Sequence, residues 1–392
     1  MNSAMRSSLK AMHPLGVRRV LVMAGGTGGH VFPALAVARE LRSLGIEVVW
    51  MGTHAGLESR LVPEAGFSVE WVTVTGLRGN GLAGWMAAPW RLLRALWEAL
   101  AAIRRVAPDV VLGMGGFATG PGGLAAWLLR RPLVIHEQNS VAGLTNRLLA
   151  HLAKRVLIAF PNTFPSHFGA IVTGNPIRPE IAALAMEGSY GEEIKAKETW
   201  HLLVLGGSQG AAALNATLPA ALALLPAEKR PSVWHQSGGR LLEQTQSAYH
   251  DVGITGRIEP FIVDMAAAYR WADLVVCRAG ALTVAEVAAA GVAAVLVPYP
   301  HAVDDHQTNN ARLLVDADAA ILLPQSELNR ERLAEILGNL GDNPEHLQGM
   351  GRRARSVAHP TATDHVVAQL LEIGRGGPLN DEGNGAATKH QS

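Results

Sequence analysis

Short apolar runs rich in Val, Ile and Leu alternate with stretches of helical periodicity along most of the chain. The runs fall at residues 19–23, 48–50, 110–112, 133–136, 155–158, 201–205, 274–277 and 293–297. They are apolar at successive positions rather than at every second one, which predicts strands covered on both faces, as in a parallel sheet. Helical patterns over 33–44 and 281–290 intervene. The pattern predicts an α/β chain with doubly wound sheets.

The pattern also repeats. Leu21-Val22-Met23-Ala24-Gly25-Gly26-Thr27-Gly28-Gly29 is answered by Leu202-Leu203-Val204-Leu205-Gly206-Gly207-Ser208-Gln209-Gly210. Pro108-Asp109-Val110-Val111-Leu112-Gly113 is answered by Ala272-Asp273-Leu274-Val275-Val276-Cys277. Each half reads as a strand, a glycine turn and a helix, followed by further βα units. Two Rossmann-like domains facing a cleft is the economical architecture. The boundary is expected at Gly174-Asn175-Pro176-Ile177-Arg178-Pro179, where two prolines disfavour helix and stiffen the crossing. The chain thus divides into an unstructured leader (1–17), a first domain (18–174), a second (175–360), a helix over 361–375 that could pack back on the first, and a disordered tail (376–392).

Composition narrows the class. The 392 residues are 48% hydrophobic and 17% charged, enough to bury large cores and too few charges for a disordered chain. With 34 Lys and Arg against 33 Asp and Glu, the net charge of +1 gives no bulk affinity for nucleic acid. The single cysteine, Cys277, excludes an internal disulfide and fits a reducing cytoplasm. The uncharged stretch over 110–129 is long enough to span a bilayer, but glycines and Pro121 interrupt it, so a strand, a glycine loop and a helix is the better reading. Arg18 and Arg19 break any signal-peptide core.

Glycine turns after strands let a ligand approach the backbone and expose helix N-terminal amides to an anion. Three such turns, at 25–29, 113–123 and 206–210, point to a phosphate-bearing ligand. A dinucleotide site would place an acid at the end of the second strand. That strand ends Val49-Trp50-Met51-Gly52-Thr53, with Glu47 at the wrong end, and there is no P-loop Lys-Ser/Thr. A nicotinamide enzyme is therefore disfavoured.

These segments, with Gly25-Gly26-Thr27-Gly28-Gly29-His30, Gly113-Met114-Gly115-Gly116, His136-Glu137-Gln138-Asn139, Cys277-Arg278-Ala279-Gly280-Ala281-Leu282-Thr283 and Asp305-His306-Gln307-Thr308, closely resemble the MurG family over residues 19–374. The resemblance implies a GT-B fold with the sugar nucleotide in the cleft. It implies transfer of N-acetylglucosamine from UDP-N-acetylglucosamine, with inversion, to the undecaprenyl-pyrophosphate-linked muramyl pentapeptide (lipid I), which yields lipid II for peptidoglycan. It implies that Thr27, Gly28, Gly29 and Asn139 line the cleft, that Arg178 and Ser208 flank the nucleotide, and that the Ile262 backbone meets the uracil. Ala281, Leu282, Thr283, Val284, Ala285 and Glu286 would cradle the diphosphate, with Glu286 on the ribose hydroxyls, and Gln307 would hold the sugar. Thr283 could cap its helix, and Glu286 also fits ordinary complementation of the helix dipole. A UDP-N-acetylglucosamine epimerase of the same build is the alternative activity, a nicotinamide oxidoreductase comes third, and a non-enzymatic lipid-binding module comes last.

In-line displacement needs a base for the acceptor hydroxyl and charge stabilisation for departing UDP. His30, directly after the first glycine turn, is the leading base, although it could instead cap the loop or bind acceptor phosphate. Glu137 and His136, at a strand's C-terminal end, are second candidates for orientation or acceptor binding. The arrangement requires no cofactor and no metal. Asp316-Ala317-Asp318 reads as a solvated turn, and Asp304-Asp305-His306 as the shaper of the loop that presents Gln307.

Leu82, Trp85, Met86, Trp90, Leu93 and Trp97 recur at helical steps among Arg78, Arg91, Arg94, Arg104 and Arg105. Tryptophan with arginine suits an interface with anionic lipid, here the inner leaflet of the cell membrane, which the protein would meet from the cytoplasmic side as a peripheral enzyme. Leu93, Leu96 and Leu100 are assigned to packing on the protein's own sheet, and Trp85 and Trp90 to the exposed side.

Overall fold

The computed structural model describes residues 16–74, 81–187, 199–207, 210–300, 302 and 305–374, with backbone alone for 81–88. The expected tail, nearly all of the leader, and Arg78, Ser208 and Asp304 lie outside the described residues, as do the side chains of Leu82, Trp85 and Met86.

The first lobe contains strands β1 (Arg19–Met23), β2 (Glu47–Gly52), β3 (Ser68–Trp71), β4 (Val110–Gly113), β5 (Leu133–Glu137), β6 (Arg155–Ile158) and β7 (Ile171–Val172). They pair in the order β3-β2-β1-β4-β5-β6-β7, all parallel. The second lobe contains β8 (His201–Leu205), β9 (Ser232–Gln236), β10 (Arg257–Glu259), β11 (Leu274–Cys277), β12 (Ala293–Leu296) and β13 (Ala320–Leu322), in the order β10-β9-β8-β11-β12-β13, also parallel. This is the two-domain α/β GT-B build.

The successive apolar positions have a direct structural cause. In β1, Val20 and Val22 enter one core layer, and Leu21 and Met23 enter the layer on the opposite face. In β11, Val275 and Cys277 face one layer, and Leu274 and Val276 the other. Helices cover both faces, so every residue of these strands except Arg19 is buried, at roughly 1.5–3 kcal/mol per large aliphatic side chain. Strands β3, β7, β10 and β13 lie towards the sheet edges and are short and partly exposed, so they lack the continuous apolar run.

Two differences from the sequence expectation bear on the site. The first long helix is Gly28–Ser43, which begins inside the glycine motif rather than at residue 33. Gly28, Gly29 and His30 are therefore helical, and Pro33, having no N–H, leaves the Gly29 carbonyl without its helical donor. Val17, read as leader, is buried in the first core. The helix Ala362–Gly374 returns to the first lobe, where Val366, Val367, Leu370, Leu371 and Ile373 join the core that contains β1.

Candidate active site

In both sheets the strand order reverses beside the first strand, between β1 and β4 and between β8 and β11. Ligands of open parallel sheets bind at such switch points. The first crevice is built from glycine. The Gly25 N–H donates to the Gly115 carbonyl at 3.2 Å, and Met114 N–H donates to Met23 at 2.8 Å, so the two loops are zipped together. Gly116 has φ +93°, and a Cβ there would stand 2.6 Å from the Gly25 carbonyl oxygen. Beneath the first turn lies Glu58, which the sequence reading missed. Its carboxylate is buried and accepts from Gly26 N–H (2.9 Å), Thr53 N–H (3.1 Å) and the Thr53 hydroxyl (2.7 Å). It holds the loop in shape.

The second crevice opens at the helix Ala281–Ala290. Its N-cap is Gly280, and no side chain caps it, so the expected Thr283 cap is not formed. First-turn amides are thereby left for a ligand. Arg178 reaches Glu286 through Nη2 (3.0 Å) and Nε (3.1 Å), and the Tyr269 hydroxyl donates to the other Glu286 oxygen at 3.2 Å. Burial pushes the Glu286 carboxyl above its usual range, against the opposing pull of Arg178. Burial also works against the Arg178 cation, but the Glu286 charge outweighs it and raises its pKa. Tyr269 was not singled out from sequence, and its pKa is raised well above the ordinary value by burial and by Glu286. Asp305, with φ +50°, precedes the helix His306–Val315, and its carboxylate accepts from the Thr308 hydroxyl at 2.7 Å. That turn presents Gln307, whose Oε1 accepts from Tyr299 N–H at 2.9 Å.

His30 is half-buried at the rim of the first crevice, its ring against Gly115. Nδ1 lies 3.2 Å from the Gly25 carbonyl. A carbonyl only accepts, so Nδ1 carries the proton and the lone pair is on Nε2. Burial holds the His30 pKa below 6.5, outweighing the nearby Glu137 and Glu58 charges. Glu137 is buried and engaged on both oxygens. Oε1 accepts from Asn139 N–H (3.1 Å) and Nδ2 (3.3 Å), and Oε2 accepts from Gly143 N–H (3.1 Å) and Asn146 Nδ2 (2.8 Å). That geometry suits a residue that shapes its loop better than one that takes a proton. His136 donates from Nε2 to the Gly174 carbonyl at 3.0 Å and accepts at Nδ1 from Gln138 at 3.1 Å. Burial lowers its pKa to about 4, so it acts as a neutral strut.

Between the crevices lies a cleft of about 350 Å³. Of the expected residues, Thr27, Gly28, Gly29, Arg178, Ala281, Leu282, Thr283, Glu286 and Gln307 line it. His30, Glu137, Asn139, Ile262, Val284 and Ala285 stand outside its walls. Val284 is turned into the core. The Ile262 N–H is taken by Gln236 Oε1 at 3.1 Å, which leaves its carbonyl for any backbone contact. Leu205, Gly206, Gly207 and Gly280 of the glycine motifs also line it, and Phe32, Gln236, Phe261, Met265, Tyr269 and Arg278, not assigned to the site from sequence, complete the lining. Cys277 is buried, and burial pushes its thiol up to about 12, so it is inert.

The helix Gly81–Val106 contains Pro89. Trp90 (79%) and Trp97 (67%) are exposed two turns apart. Leu96 and Leu100 pack on the core as expected, but Leu93 is exposed. Phe117, Trp127, Leu144 and Leu148 add further exposed apolar surface on the first lobe. Among the described residues, no helix is long and apolar enough to cross a membrane.

Residues 20–158 match the glycosyltransferase family 28 N-terminal domain, and residues 201–366 its C-terminal domain. The chain is 57% identical over 359 residues to the UDP-N-acetylglucosamine--N-acetylmuramyl-(pentapeptide) pyrophosphoryl-undecaprenol N-acetylglucosamine transferase of Nitrosococcus oceani, covering 91% of this chain and 99% of that protein. It is 58% identical over 356 residues to the protein of the same name in Alkalilimnicola ehrlichii, with the same coverage. The crystal structure of Acinetobacter baumannii MurG superposes with a TM-score of 0.76 at 43% identity, over 91% of this chain and 99% of that one. A UDP-GlcNAc 2-epimerase from Neisseria meningitidis shares the fold alone, with a TM-score of 0.62 at 13% identity over 90% of this chain and 100% of that one. With both domain models matched and the relatives aligned nearly end to end, the chain belongs to glycosyltransferase family 28 and, within it, to the MurG transferases.

Proposed function

We propose that the protein moves N-acetylglucosamine from UDP-N-acetylglucosamine to lipid I, forming lipid II, by one inverting displacement. The observation that carries this reading is the shared cleft: glycine-turn backbone from one lobe faces a helix N-terminus that no side chain caps, with Arg178, Glu286 and Gln307, from the other. Relatives that bear the transferase name are more than half identical over nearly the whole chain, whereas the epimerase likeness is one of fold alone.

In this reading the second lobe holds the donor. The first-turn amides at Ala281–Thr283 meet the diphosphate, Glu286 accepts from the ribose hydroxyls, and the Ile262 carbonyl faces the uracil. Arg178 and Tyr269 keep the Glu286 carboxylate oriented, and Ser208 belongs to the same nucleotide contacts. Gln307 meets the sugar. The acceptor hydroxyl oxygen bonds to the anomeric carbon as the bond from that carbon to the UDP oxygen breaks. His30 Nε2 takes the hydroxyl proton, and the departing diphosphate charge falls on the helix amides and Arg178. A single displacement gives inversion. No protein group has to bond to the sugar.

The acceptor arrives on a lipid. The first lobe offers Trp90, Leu93 and Trp97 with Arg91 and Arg94, and Trp127, Leu144 and Leu148 on neighbouring helices, as a face for anionic lipid at the inner surface of the membrane.

The decisive experiment is incubation with UDP-N-acetylglucosamine with and without lipid I. UDP release only in the presence of acceptor supports the transferase; an epimerised donor formed without acceptor would replace this reading with the epimerase. Flotation with phosphatidylglycerol-containing liposomes tests the membrane face. A Trp90→Ser/Trp97→Ser variant should remain in the unbound fraction, and wild-type flotation by that variant would remove the patch.

A further inference from the structure

Among the contacts between the lobes is one fully buried amide, Asn310 in the helix His306–Val315. Its Oδ1 accepts from Ser140 N–H at 2.9 Å and from the Ser140 hydroxyl at 2.8 Å, both in the loop after β5 of the first lobe. Its Nδ2 donates to Asn139 Oδ1 and to the Ala279 carbonyl, each at 3.3 Å. All four hydrogen-bonding positions of the amide are thus used, three of them across the cleft.

The polarity of this chain of bonds is set at both ends. Glu137 accepts from Asn139 Nδ2, so Asn139 must turn its oxygen to Asn310. Ser140 N–H can only donate and the Ala279 carbonyl can only accept, so Asn310 fits in one orientation only. Ala279 immediately precedes Gly280, the N-cap of the Ala281–Ala290 helix, and Asn310 lies one turn along the helix that carries Gln307. One side chain therefore ties the loop beside His30 and Glu137 to both donor-side segments.

We propose that Asn310 is a positioning residue for transfer: it sets the register of the lobes, and thus the aim of the acceptor at the anomeric carbon, without touching either substrate. The proposal rests on the transferase reading for its kinetic consequence and not for its structural one. A misplacement of about 1 Å remote from the chemistry can cost on the order of 100-fold in rate. Asn310→Ala is therefore expected to lower kcat by about 10- to 100-fold while the UDP dissociation constant changes by less than about twofold. Asn310→Asp should be at least as damaging, since it sets a carboxylate oxygen against the Asn139 and Ala279 oxygens. Ser140→Ala should act in the same direction but less, and should add little in an Asn310→Ala background.

Lobe register is read independently by spin labels at Glu64→Cys and Glu335→Cys, one on each lobe, with buried Cys277 left unlabelled. The Asn310 variants should broaden or shift the inter-label distance distribution, and Ser140→Ala should do so in part. If Asn310→Ala does not fold, Ser140→Ala carries the same readings. An unchanged distribution, or loss of UDP binding in proportion to kcat, overturns the proposal. If the wild-type chain transfers no sugar to lipid I, the transferase reading fails, while the distance measurement still tests the latch.

Discussion

His30 is where the site's electrostatics make a testable statement. The competent form of a base is the unprotonated imidazole, and burial lowers the pKa of this one below 6.5. The fraction able to accept a proton is therefore complete above that value and falls only as pH drops through the lower folded-state value. In a pH series of kcat, the acid limb should have its midpoint below 6.5, with a plateau through pH 7 to 8. His30→Ala should abolish that limb and lower kcat by roughly 10²–10⁴-fold, with UDP affinity retained. A limb centred above 6.5, or a variant with lost UDP binding and normal turnover, would assign His30 another role. The same depression implies that His30 favours the folded state above pH 6.5, an effect lost as pH falls, and His136, with a pKa of about 4, contributes in the same direction. At this scale, the glycine turns were legible from their spacing, while the roles of single residues inside them came with the family resemblance. Glu58, Tyr269 and Asn310 were not, because each acts on partners distant in sequence. An acid such as Glu58 reads as one more surface charge until the fold brings Gly26 and Thr53 to it.

The strands that frame the cleft were legible for a different reason. A central parallel strand is apolar on both faces, and that signal does not depend on register or partner. The four short edge strands do not share it and none was read from sequence, nor was β9, where His235 and Gln236 interrupt the apolar run. The start of the Gly28–Ser43 helix was misread because consecutive glycines disfavour helix by propensity. Contact with the neighbouring glycine loop overrides that preference. The zipped loops yield a graded expectation. Gly26 has φ +85° and open space around a Cβ, whereas Gly116 has φ +93° and the Gly25 backbone within 2.6 Å. Gly26→Ala should cost about 1 kcal/mol, from backbone strain alone. Gly116→Ala should cost about 3 kcal/mol or more, because strain and overlap add. Urea midpoints at constant m-value measure both. Equal costs would mean that the loops are not locked together as described.

At the scale of the whole molecule, the chain runs from the first lobe to the second and back, so the lobes are joined by two crossings rather than one. The crossings touch: a Cβ on Gly174 would stand 2.2 Å from His359 Cβ, and the Gly174 carbonyl is held by His136. The returning helix is anchored by its apolar face and by Arg155, which meets Glu372 at 2.7 Å. The double repeat made two lobes readable from sequence, but a helix that belongs to the lobe it does not adjoin has no local signature, since its pattern demands an apolar partner without naming which. The energetics make that partnership testable. Burying Val366, Val367, Leu370, Leu371 and Ile373 contributes on the order of 10 kcal/mol, at about 1.5–3 kcal/mol each. That is comparable with the whole margin of a folded domain, about 5–15 kcal/mol. A chain ending at residue 360 should therefore lose the cooperative melting of its first lobe while the second lobe, whose cores contain none of these residues, still unfolds as a unit. Calorimetry of the full and shortened chains resolves the two cases. A first-lobe transition unchanged by the truncation would mean that the helix only rests on that lobe, and the two-crossing hinge would then have no energetic basis.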